Sequence, residues 1–115
     1  MTLLNSIHQD LHALRNKEKA KLLSGFFKTG SGQYGEGDIF LGLTMPQIRI
    51  IATKYFDKVS LSEAQELVKS EFHECRMCAL VMLVYKYEKY TSERKTIFDF
   101  FLNNTKYINP SLTVN

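Results

Sequence analysis

The chain has 115 residues, 44% of them hydrophobic and 23% charged, a balance that excludes intrinsic disorder and fits one helical domain over residues 1–115. Fifteen Lys and Arg against twelve Asp and Glu leave a net charge of +3, which allows a phosphate-rich partner without requiring one. Two cysteines exclude a disulfide framework, and the longest apolar run, the nine residues Met77 to Tyr85, excludes a bilayer span, which takes about 20.

Taken in order, Leu3, Leu4, Ile7, Leu11 and Leu14 recur by threes and fours and predict an amphipathic first helix. Asn16 is placed to cap a second, Lys17 to Lys28, with Ala20, Leu22, Leu23, Phe26 and Phe27 as its apolar face. The glycine-rich stretch TGSGQYGEGDIFLGL then breaks the pattern. Thr44 with Gln47, and Pro46 between them, predict a capping box opening a third helix, and Ser60 with Glu63 a second box opening a fourth. Phe72 to Tyr87 reads as a helix apolar on most of its circumference, one that other helices must cover. Thr91 to Asn104 follows, its packing face expected at Ile97, Phe98, Phe101 and Leu102, and the tail begins a further helix that Pro110 breaks. Helix on helix throughout predicts an all-α fold, with about three helix pairs stacked as a HEAT-like α-solenoid.

Three motifs invite a chemical reading. Gly30, Gly32 and Gly35 spell GxGxxG, but a helix precedes them where a dinucleotide site needs a strand, so an ordered loop is expected. Cys75 and Cys78 form CxxC without the second pair that zinc requires, and they fall within the apolar helix, so both read as core residues. His73-Glu74 opens like HExxH, but Met77 stands at the second histidine's place. Neither a metal nor a cofactor is therefore expected. Glu74 and Arg76 either find partners inside the fold or occupy the helix's one exposed stripe. The N-terminus lacks a basic start followed by an apolar run, so no signal peptide is expected, and a soluble cytoplasmic protein with no membrane partner is.

Phe26 to Tyr55, the run SEFHECRMCALVMLVYKY with its S-x-x-HE-x-R-x-x-AL pattern, and Ile97 to Asn109 resemble AlkD-like DNA alkylation-repair proteins. The YGEGD-x-FLG loop and the HE-x-R helix are the most specific parts of the match. The resemblance implies a helical superhelix gripping duplex DNA in a basic groove. It also implies hydrolytic removal of cationic N3- or N7-alkylated purines without flipping the base into a pocket. A cationic base is already a good leaving group, so a carboxylate that stabilises the developing sugar cation and an aromatic face beside the lesion supply the chemistry.

After an Asn-Thr-x-x-Ile-Asn approach the family continues Asn-Trp-Asp-x-Val-Asp. Here Ser111 stands at the Trp position and Asn115 at that of the catalytic Asp, and the chain has no Trp. The expectation is a scaffold, truncated, frame-shifted or naturally shortened, with no intact catalytic residue and weak, nonspecific duplex binding. Lys28, Arg49, Arg76 and Lys106 are the predicted phosphate contacts. Two alternatives stand beside it. One is a helical interaction module self-associating through Ile97, Phe98, Phe101 and Tyr107. The other is an enzyme using a different carboxylate, Asp38 or Asp99.

Overall fold

The computed structural model describes residues 2–26 and 38–108. Its helices are α1 (Leu3–Ala13), α2 (Lys17–Phe26), α3 (Met45–Tyr55), α4 (Leu61–Val68), α5 (His73–Lys89), α6 (Arg94–Asn103) and α7 (Thr105–Ile108), with a 3-10 turn at Thr91–Glu93. The fold is all-α. Among the described residues the only β pairing is one isolated parallel bridge between Ile39 and Phe72, and no helix is long and apolar enough to cross a membrane. The GxGxxG glycines lie outside the described residues.

The helix starts follow from side-chain chemistry. The Asn16 Oδ1 accepts the amide of Lys19 at 3.0 Å, satisfying a donor that the first turn of α2 would otherwise leave open. At α3, Gln47 N donates to Thr44 Oγ1 at 3.3 Å and Thr44 N to Gln47 Oε1 at 2.9 Å. At α4 the reciprocal pair joins Ser60 and Glu63 at 3.0 and 3.1 Å. Both capping boxes are formed as the spacing predicts. α5 and α6 start without a side-chain cap bond, at Phe72 and Glu93 respectively, and α5 is the more telling case. α5 begins instead with His73 N donating to the Ile39 carbonyl at 2.8 Å.

α5 is the hub, touching α1, α3, α4 and α6. Cys75, Cys78, Ala79 and Met82 of α5 are fully buried, and they cluster with Ile7 and Leu11 of α1, Ile48, Ile51 and Ala52 of α3, and Leu67 and Val68 of α4. α1 touches both α3 and α5, and α3 touches α5, so these three alternate helices pack on one another. Ile97 of α6 closes a smaller cluster over Ala64 and Leu83. The cover over α5 is less complete than its composition predicts, since Val84 and Tyr87 remain exposed.

Two predicted apolar faces need correcting. None of the described side chains of α2 is buried, and Leu22 and Phe26 are each 74% exposed. An apolar cleft of about 510 Å³, lined by Leu22, Leu23, Phe40, Leu43, Ile48 and Met77 among others, lies between α2 and the α3–α5 body. On α6 only Ile97 is buried; Phe98 and Leu102 face outward, and Phe100 and Phe101 pack inward. Apolar residues at 97, 98, 100, 101 and 102 nearly encircle α6, so periodicity alone does not choose its buried face.

α1 carries two groups whose titration the fold shifts. Burial first, and the neighbouring His12 second, hold the His8 imidazole below its usual range. Asp10 is held below the ordinary carboxylate range, chiefly by the Tyr55 hydroxyl at 2.6 Å and then by the Lys54 ammonium at 3.0 Å. Both folded pKa values lie below the unfolded ones, so each group's contribution to stability is present above its unfolded pKa and is lost as pH falls towards the folded one. His8 therefore acts first. Acidification from pH 7 to pH 5 lowers the melting temperature of the native chain, and His8→Gln flattens that decline while leaving the steeper fall below pH 4, to which Asp10 contributes. Thermal melts at half-unit pH intervals check this; an unchanged slope in His8→Gln rejects it.

Candidate nucleic-acid interface

The segment Asp38 to Leu43 and the start of α5 form one hydrogen-bonded unit. Glu74 is 1% exposed. Its Oε1 accepts Leu41 N at 2.8 Å, and its Oε2 accepts Gly42 N at 2.9 Å and Leu43 N at 3.2 Å. Three backbone donors on one carboxylate resolve the choice between a partnered acid and an exposed stripe: the acid is buried and partnered. Two turns of sequence chemistry meet here, because a buried charge is tolerated only where donors of this kind surround it.

Asp38 braces the same corner. It pairs with an Arg76 guanidinium nitrogen, and its other oxygen lies 3.2 Å from His73 Nδ1. Arg76 also donates to the Ser70 carbonyl at 2.9 Å and the Glu71 carbonyl at 3.3 Å. Phe40 stacks obliquely on His73, ring centroids 4.7 Å apart. The described end of the specific loop, DIFLG, and the HE-x-R helix are thus the two halves of a single latch.

Gly42 takes φ +90, a conformation that favours glycine. A Cβ there would stand 2.1 Å from the Asn16 carbonyl oxygen and 2.8 Å from Ala20 N. Main chain meets main chain at the first turn of α2, where Asn16 N also donates to the Leu41 carbonyl at 2.8 Å.

The four predicted phosphate contacts are differently placed. Lys28 lies outside the described residues. Arg49 is exposed on α3. Arg76 is half-buried with its guanidinium turned onto the latch. Lys106 is exposed on α7, its ammonium 5.0 Å from the centre of the Tyr107 ring. Sequence reasoning missed Lys69, which follows α4 and stands 5.9 Å from the same ring. A lysine at a helix C-cap carries no signal of a partner some forty residues on, so nothing local could have found it. Ser70, whose carbonyl accepts from Arg76, follows Lys69 in the chain, and Lys69 and Lys106 meet at the Tyr107 ring. Among the described residues no carboxylate lies within 4.0 Å of the charged nitrogens of Arg49, Lys69 or Lys106.

Other candidate chemistry is spoken for. Burial pushes the Cys75 thiol up to about 11 and the Cys78 thiol to about 12, so neither presents a thiolate near neutrality. Asp38 is held by Arg76 and His73, and Asp99 pairs with Lys95 at 3.2 Å one turn away. No group of three or more His, Cys, Asp or Glu side chains is placed to hold a metal among the described residues. Ser111 and Asn115 lie outside those residues. Comparison with known proteins gives one result: the family model for DNA alkylation repair enzyme matches residues 7–115. No curated protein and no solved structure matches the chain.

Proposed function

This chain belongs to the DNA alkylation repair enzyme family, and from that premise we propose that it holds duplex DNA weakly, without sequence preference, and does not itself break the glycosidic bond. The helix order, with the alternate helices α1, α3 and α5 packed on one another, supports a HEAT-like arrangement. Lys69 and Lys106, flanking Tyr107 with no carboxylate within 4.0 Å among the described residues, are the observation that carries the binding. Cations left uncompensated by protein acids bind phosphates by releasing DNA counterions, whatever the base sequence. Arg49, Lys28 and Arg76 complete the proposed set, with Arg76 the most committed to the fold.

Silence in catalysis follows from Ser111 and Asn115. Serine offers no π face to a cationic base, and a neutral amide cannot stabilise a developing sugar cation as a carboxylate does. Asp38 and Asp99, already bound to cations, are poor replacements. The cytoplasm, where the two thiols stay reduced, is the proposed compartment.

Titrating a labelled duplex at several salt concentrations tests the binding. The expected result is micromolar-or-weaker affinity that falls with salt, with Lys69→Gln and Lys106→Gln each reducing the salt slope by about 1. A flat response to high-micromolar protein at low salt rejects DNA binding. Free base released from a 7-methylguanine duplex rejects the catalytic half. A second reading, a helical interaction module, draws on Phe98 and Leu102, each 56% exposed on α6. Of its expected contact residues, Ile97 is buried and Phe101 and Tyr107 are half-buried. Sedimentation of a monomer at high concentration would set that reading aside.

A further inference from the structure

α2 presents a positional problem. It carries Lys17, Lys19 and Lys21, all exposed, yet buries none of its described side chains. Among the described residues, core packing, which locates the other long helices, buries no side chain of α2. Its first turn is instead fixed through main chain. Ala20 N donates to the Asn16 carbonyl at 2.9 Å, Asn16 N to the Leu41 carbonyl at 2.8 Å, and Gly42 abuts both residues. Leu41, Gly42 and Leu43 are themselves held by the Glu74 carboxylate, which is built into the hub helix.

We propose that Glu74 is a positioning residue for α2: through residues 41–43 and Asn16 it transmits the placement of α5 to the first turn of α2, and so sets where Lys17, Lys19 and Lys21 stand towards a phosphate backbone. The part of this that concerns DNA rests on the binding reading above; the relay itself does not. A buried carboxylate suits the task because its two oxygens accept three amides at once. Glutamine at the same position keeps one acceptor oxygen and turns a donor NH₂ on amides that are themselves donors. The loop then loses the grip at one side while the apolar contacts of α5 stay.

Spin-label distance measurements on the full chain test the relay without DNA. One pair joins α2 to α3 (Lys21→Cys with Thr53→Cys), and a control pair joins α3 to α4 (Thr53→Cys with Glu66→Cys). All three positions are exposed, and the native thiols are buried. In Glu74→Gln the α2–α3 distribution is expected to broaden at least twofold while the control pair keeps its width. Duplex affinity should drop severalfold in the same variant. Asp38→Asn, which loosens the latch from its edge, should show the same selective broadening to a smaller degree, and it decides the matter if Glu74→Gln does not fold. An unchanged α2–α3 distribution, or equal broadening of both pairs, overturns the relay. Selective broadening in a chain that binds no DNA keeps the relay and rejects the DNA reading instead.

Discussion

Glu74→Ala is expected to destabilise the chain by about 3–5 kcal/mol, the lower part of the range for orphaning three buried donors at once. The size follows from what the substitution leaves behind. Leu41 N, Gly42 N and Leu43 N each lose their acceptor in a buried place, and an orphaned buried donor costs about 1–3 kcal/mol. The lost charge also removes an obstacle, because desolvating a carboxylate is expensive in itself, which keeps the total below the simple sum. Against a domain stability of roughly 5–15 kcal/mol this is a large share. Urea titration should show a lower midpoint with an unchanged slope. A loss under about 1 kcal/mol would mean that the three amides find other acceptors and that the latch is not what orders this corner.

Gly42→Ala is expected to cost about 2–5 kcal/mol for a different reason. An L side chain at φ +90 is strained by about 1–2 kcal/mol. The added methyl would also lie 2.1 Å from the Asn16 carbonyl oxygen, so backbone must move, at a cost of about 1–3 kcal/mol. Nothing flexible is available to yield, since both neighbours are main chain. The contrast with Gly25, around which no atom lies within 4 Å of an added Cβ, supplies the control. Gly25→Ala in the exposed part of α2 should be neutral or gain up to about 1 kcal/mol from helix propensity. Urea midpoints of the two variants, measured side by side, decide it; equal effects would remove the argument from close approach.

Because Glu74 and Gly42 act on the same three-residue segment, their effects should not add. The double variant loses less than the two single losses combined, since a segment already pushed out of place has fewer amides for the carboxylate to hold.

What could be read from the sequence was what is local. Thr44 with Gln47, Ser60 with Glu63, and Asn16 before Lys19 each specify a helix start within four residues, and each is formed. The hub was legible too, since nine apolar residues in a row must be covered wherever they fall. The latch was not. Glu74 in an apolar helix left a choice between a buried partner and an exposed stripe, and backbone amides carry no residue signature, so neither the burial nor the partner could be named. The same holds for Lys69 and Lys106, which meet at Tyr107 only through the fold. On α2 the apolar residues were visible but not their exposure, because amphipathicity says which face is apolar and not whether anything comes to cover it.

A carboxylate that grips main chain leaves the gripped residues free in every respect but one. Leu41 and Leu43 serve the acid through atoms common to all residues save proline, so their side chains answer only to the core beneath. What the architecture demands of this corner is an acid on the hub and a glycine 32 positions before it. Either one without the other is a liability: the acid alone is a charge marooned in hydrocarbon, the glycine alone a weak point in the chain.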